Sequence, residues 1–71
     1  MYRLFAWCKD GDIWYLGKFG KDYDKIRNML KDILNLSDND NIEFREIYTD
    51  ILIDLISDGN TITVGHLALI D

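Results

Sequence analysis

The chain has 71 residues, 48% of them apolar, with no proline and a single cysteine. That is enough for one small domain over residues 1–71 with a modest core, too apolar for a disordered segment, and incapable of an internal disulfide. The formal charge of −5 is unevenly spread: residues 1–31 carry seven of the eight Lys and Arg and a net +3, while residues 32–71 carry nine of the thirteen acids and a net −8.

Residues 2–19 read as a β-hairpin. Two aromatic-rich runs, Tyr2–Cys8 and Ile13–Phe19, flank Lys9-Asp10-Gly11-Asp12. Asp-Gly suits a two-residue turn, whose central residues need positive φ. With Asp10-Gly11 as that turn, one face carries Tyr2/Phe19, Leu4/Gly17, Ala6/Tyr15 and Cys8/Ile13. The other carries Arg3/Lys18, Phe5/Leu16, Trp7/Trp14 and Lys9/Asp12, apolar at its centre and charged at its ends.

Residues 22–35 read as a helix. Asp22 can cap it, Asp24 suits the positive end of its dipole, and Tyr23, Ile26, Leu30, Ile33 and Leu34 recur at helical spacing. The helix should stop near Asn35, before the polar run Ser37–Asn41.

Residues 42–57 admit two readings. As a helix, Phe44, Ile47, Tyr48, Ile51, Leu52, Leu55 and Ile56 form an apolar stripe, Asp40 and Glu43 a capping box, and Gly59 a C-terminal cap. As a strand, Ile47, Thr49, Ile51, Ile53 and Leu55 share a face, and Asp58-Gly59 turns a hairpin into a strand at 61–70. The helical reading is preferred. The fold expected is therefore a small α+β domain, an antiparallel sheet with helices in the order ββααβ, or ββαββ if the strand reading holds.

On that helix Glu46, Asp50, Asp54 and Asp58 would stack along one face. Such a row suits docking on a basic groove, in the manner of the phosphate row of a nucleic acid. The bland alternative is a solvated face whose charges repel one another. Neutralising Asp50, Asp54 and Asp58 together is then expected to stabilise the fold slightly while weakening a partner contact.

Trp7 and Trp14, with Phe5 and Leu16, are expected to form an apolar patch on the outer sheet face, a type of surface that marks a partner or dimer contact. Arg3, Lys9 and Lys18 beside the rings give a weaker case for binding nucleotides or single strands. The net negative charge opposes nucleic acid as a direct ligand.

Signals for chemistry are sparse. Cys8 falls on the apolar face, where a thiol is ordinary packing, and His66 lies in an apolar strand after Gly65. Residues 37–43 alternate oxygen ligands as calcium loops do, but lack the central glycine and the distant glutamate. No cofactor, no metal and no catalytic set is expected. The opening run is too short for a signal peptide, and nothing approaches a membrane span of about 18 apolar residues.

The expectation is thus a cytoplasmic, non-catalytic interaction protein. Its partner would be a larger protein with a basic, nucleic-acid-binding type of groove, which it would occlude as an inhibitor. A phage anti-defence protein is one setting for such a device. The alternatives are a homo-oligomer paired through the Trp-bearing face, and a small nucleotide or single-strand binder.

Overall fold

The computed structural model describes residues 1–8 and 10–70. Its elements are β1 (Tyr2–Trp7), β2 (Ile13–Phe19), α1 (Tyr23–Ile33), β3 (Asn41–Ile47), β4 (Asp50–Ser57) and β5 (Asn60–Leu69). The strands form one antiparallel sheet in the order β2-β1-β5-β4-β3. Both expected orders, ββααβ and ββαββ, are therefore incorrect, and the observed order is ββαβββ.

The error lies in residues 42–57, which are two strands of a hairpin and not a helix. Tyr48 and Thr49 turn it, with Ile47 facing Asp50 and Tyr48 at φ 54°. The physical reasons are β-branching at Ile42, Ile47, Ile51, Ile53 and Ile56, and acids that would repel four apart on a helix. Asp40 forms no helix cap. Its carboxylate instead accepts from the Ser37 N–H at 3.1 Å and the Ser57 hydroxyl at 2.6 Å, fastening the α1–β3 connection to the end of β4. Gly59 likewise caps no helix. Asp58 and Gly59 both take positive φ, 51° and 80°, and turn β4 into β5 as an Asp-Gly hairpin does.

The helix obeys its sequence closely. Asp22 accepts from the Lys25 N–H at 3.3 Å at its start. At its end the Leu36 N–H bonds the Lys31 carbonyl, the Asn35 N–H bonds the Asp32 carbonyl, and Asn35 takes φ 53°. This double closure around a left-handed residue is the Schellman motif, which Asn tolerates better than most side chains.

The β1–β2 register departs from the expected one. Cys8 N–H donates to the Asp12 carbonyl, so the hairpin closes one residue wider than an Asp10-Gly11 turn requires. Lys9, part of that expected turn, lies outside the described residues. Pairs Trp7/Ile13, Ala6/Trp14 and Phe5/Tyr15 follow, then a bulge at Leu16 restores Leu4/Gly17, Arg3/Lys18 and Tyr2/Phe19. Gly17 takes φ 122° beside the bulge.

The core lies between α1 and one sheet face. It joins Leu4 and Ala6 of β1, Leu67 of β5, Ile51 and Ile53 of β4, Ile42 of β3, and Ile26 and Leu30 of the helix. Tyr23 stacks on Phe44 at 4.2 Å beside it. Because β2 and β3 occupy opposite edges, α1 crosses the sheet to connect them, and the other sheet face has no covering element among the described residues. No helix of the described residues is long and apolar enough to cross a membrane.

Candidate interaction surface

Strand direction sorts the connections by end. Antiparallel pairing brings the end of β1, the starts of β2, β3 and β5, the end of β4 and the C-terminus of α1 to the same end of the sheet. The β1–β2 turn supplies Asp10 and Asp12, the last turn of α1 supplies Asp32, the α1–β3 connection supplies Asp38 and Asp40, and the β4–β5 turn supplies Asp58. All are exposed except the half-buried Asp40. The negative end of the helix dipole lies there too, with Lys31 in its last turn.

The opposite end holds Arg3, Lys18, Lys21 and Lys25, and its acids are partly matched: Lys21 pairs with Glu46 at 2.8 Å, and Arg27 with Asp24 at 2.8 Å. The two ends do not coincide with the two halves of the sequence: Asp10 and Asp12 of the first half join the acidic end, and Glu46 and Asp50 of the second lie at the basic one, in a molecule whose extents are 36 × 22 × 20 Å.

The expected acidic row is not among these clusters. Glu46 lies on the helix side of β3 and is held by Lys21, whose hydrogen bond keeps its carboxyl below the usual range. Asp50 is exposed at the start of β4, and Asp58 at the far turn. Asp54 is buried to 7% exposure in the open sheet face. It accepts from Arg45 Nε at 3.0 Å and from the Thr63 hydroxyl at 2.9 Å. The Arg45 bond, ahead of burial that opposes it, lowers the Asp54 pKa. Neutralising Asp54 would therefore strip a partnered group. The stabilisation expected for the triple change is corrected on that ground.

The Trp7/Trp14 pairing is corrected as well. A one-residue shift in a strand exchanges its faces, and the wider turn makes that shift. Trp7 stays on the open face, 37% exposed, while Trp14 pairs with Ala6 and lies on the helix side, 53% exposed. Leu16, at the bulge, packs against the core. Of the expected patch, Phe5 and Trp7 remain together.

The open face carries instead a row that crosses every strand: Tyr15, Phe5, His66, Leu52 and Arg45 are successive register partners from β2 to β3. Trp7 Nε1 donates to His66 Nδ1 at 2.8 Å. Phe5 stacks on His66 with centroids 4.8 Å apart and planes 14° apart. That distance matches the spacing of adjacent strands, about 4.8 Å, so the two rings stand on edge and cover each other's faces. A nucleobase laid flat on the sheet would find ring edges there, which counts against the single-strand reading.

Beside the acidic end, an apolar cleft of about 390 Å³ opens between the helix terminus and the sheet. Ile33, Leu34 and Leu36 line one side, and Ala6, Trp14, Leu55 and Val64 the other. Cys8 borders it, and burial together with the Asp10 and Asp12 carboxylates pushes its thiol pKa up, away from the reactive thiolate.

The sequence reading missed Tyr15, Leu52, Arg45 and His66 as neighbours, and Asp10 and Asp12 as companions of Asp58. The second group had a signal: aspartates recur in the connections of one end. The first had none without the register. No protein-family model, no curated protein and no solved structure matches the chain.

Proposed function

We propose that this protein is a small, non-catalytic interaction module of the cytoplasm. Its acidic end docks on a basic surface of a larger protein and blocks it. The observation that supports this reading is the convergence of Asp10, Asp12, Asp32, Asp38, Asp40 and Asp58, from three separate connections and the last turn of α1, on one end of the fold. A field summed over that end steers a cationic partner and raises its association rate. The adjoining cleft with its exposed Trp14 offers an apolar anchor, which charge alone does not supply.

The test is capture from a host extract on the immobilised protein, with salt elution and with duplex DNA as competitor. A partner held through a nucleic-acid-binding groove elutes between low and moderate salt and is displaced by DNA. The Asp10→Asn, Asp12→Asn, Asp38→Asn, Asp58→Asn variant should lose it. Equal capture by the variant would reject the acidic end as the contact.

A further inference from the structure

We infer that the open sheet face binds a second copy of this chain, in a two-fold dimer whose axis runs along β5. This goes beyond the proposed docking function and uses a different surface. The face is apolar at its centre, with Phe5, Leu52 and His66 half-buried, Tyr15 52% exposed and Ile13 59% exposed. The helix covers the other face of the sheet, so this one needs an external partner to be buried.

Self-association fits because the face is complementary to itself. The row nearer the basic end runs Lys18, Arg3 and Ala68 across β2, β1 and β5, and continues through Asp50 and Ile47, one residue beyond the Ile51/Leu67 pair of β4 and β5; the central row reads Tyr15, Phe5, His66, Leu52 and Arg45. The central strand is β5. Turning a second copy about an axis along β5 lays β1 over β4 and β2 over β3. Arg3 then meets Asp50 of the other copy, Tyr15 meets Arg45, Phe5 meets Leu52, and His66 meets its counterpart on the axis; at the outer edge Lys18 meets Ile47, where only its aliphatic stem makes contact. Each contact off the axis occurs twice, as an isologous interface requires. The guanidinium of Arg45 over the Tyr15 ring adds a cation–π contact.

The other face-to-face arrangement, with the axis across the strands, is disfavoured by charge. It lays Arg45 on Arg45 and Asp50 on Asp54. Edge-to-edge pairing is hindered too: β2 is broken by its bulge, and β3 carries exposed Glu43, Arg45 and Glu46. Five strands at about 4.8 Å, each about 20 Å long, present roughly 500 Å² of face per copy. Two such faces bury about 1,000 Å², the lower bound for a specific interface.

Sedimentation equilibrium of the full chain tests this between about 5 and 200 μM. The expected result is a monomer–dimer equilibrium with a Kd in the micromolar range. Leu52→Glu should shift that Kd at least tenfold toward monomer. Arg3→Asp, a change at an exposed position, should also weaken the dimer, and Arg3→Asp with Asp50→Arg should restore it, since the swap rebuilds the crossed pair. The charge-swap pair keeps the test open if Leu52→Glu does not fold. A monomer at 200 μM would overturn the proposal, as would a dimer unaffected by Leu52→Glu or a double variant no tighter than Arg3→Asp. The asparagine variant of the acidic end leaves these residues intact, so the proposed docking can fail without this result changing.

Discussion

At the scale of single residues, two polar groups decide more than the surface acids do. The Tyr23 hydroxyl is buried without a well-formed hydrogen bond; the carboxylate beside it, Glu46, is held by Lys21. Burial, and then the Glu46 carboxylate, push its pKa up, so the phenol stays neutral. An unsatisfied buried hydroxyl costs about 1–3 kcal/mol. Tyr23→Phe keeps the ring stacked on Phe44 and should stabilise the fold by about 1 kcal/mol, read as a rise of about 4–8 °C in thermal midpoint. Asp54 runs the other way. Its folded pKa is depressed by Arg45, so its contribution is complete above the unfolded value and disappears as pH falls through the folded one. The wild type should lose stability on acidification below about pH 4, the usual carboxylate range. Asp54→Asn should be less stable at pH 7, by about 1–2 kcal/mol, and should lose less than wild type between pH 5 and pH 2. Denaturant titrations at those pH values check both parts. An Asp54→Asn protein as stable as wild type at pH 7 would show that the Arg45 and Thr63 contacts contribute nothing.

At the scale of elements, what could be read from the sequence depended on whether one periodicity excluded the other. The helix was legible because Tyr23, Ile26, Leu30 and Ile33 match a helical face while Lys25, Asn28 and Asp32 interrupt any alternation. Residues 42–57 were not. In β4 the core side carries Ile51, Ile53 and Leu55, and the open side carries Leu52 and Ile56. A strand apolar on both sides loses its two-residue signal, and a helical stripe can then be drawn through it. The β1–β2 hairpin was legible as a hairpin but not in its upper register, since its faces hinge on a bulge that no residue other than Gly17 betrays. Gly65 gave only the general signal of an isolated strand glycine, a bulge or a close backbone approach. It is buried where β1 meets β5, and a Cβ built there collides with the Phe5 carbonyl oxygen. That pairing joins the β1–β2 hairpin to the β3–β4–β5 meander. Gly65→Ala should therefore cost about 3 kcal/mol or more, by forcing the two strands apart. A circular-dichroism melt unchanged by that substitution would mean the strands approach less closely than described.

At the scale of the whole molecule, the charge asymmetry of the sequence becomes an asymmetry of space only through topology. Every connection at one end carries aspartate, and the other end receives most of the bases. The carboxylates of the acidic end repel one another and have Lys31 beside them in the last turn of α1, while Arg3, Lys18, Lys21 and Lys25 sit at the other end. The Debye length is about 30 Å at 0.01 M salt and about 8 Å at 0.15 M. At low salt the acids at one end act on each other, across a sheet whose five strands span about 20 Å. At 0.15 M the exchange between distant acids is largely screened. Wild type should therefore gain stability when salt is raised from about 0.01 to 0.15 M, by about 0.5–1 kcal/mol at a few tenths per like-charged pair. The Asp10→Asn, Asp12→Asn, Asp38→Asn, Asp58→Asn variant should start more stable at low salt and gain less. The ordering matters because salt also weakens the Lys21–Glu46 and Arg27–Asp24 pairs, which both proteins share and which cancels in the comparison. Thermal melts of the two proteins at both salt concentrations give the four values required. A variant that responds to salt as fully as wild type would show that these aspartates lie too far apart to act as one charged surface, and the docking proposed for that end would lose its basis.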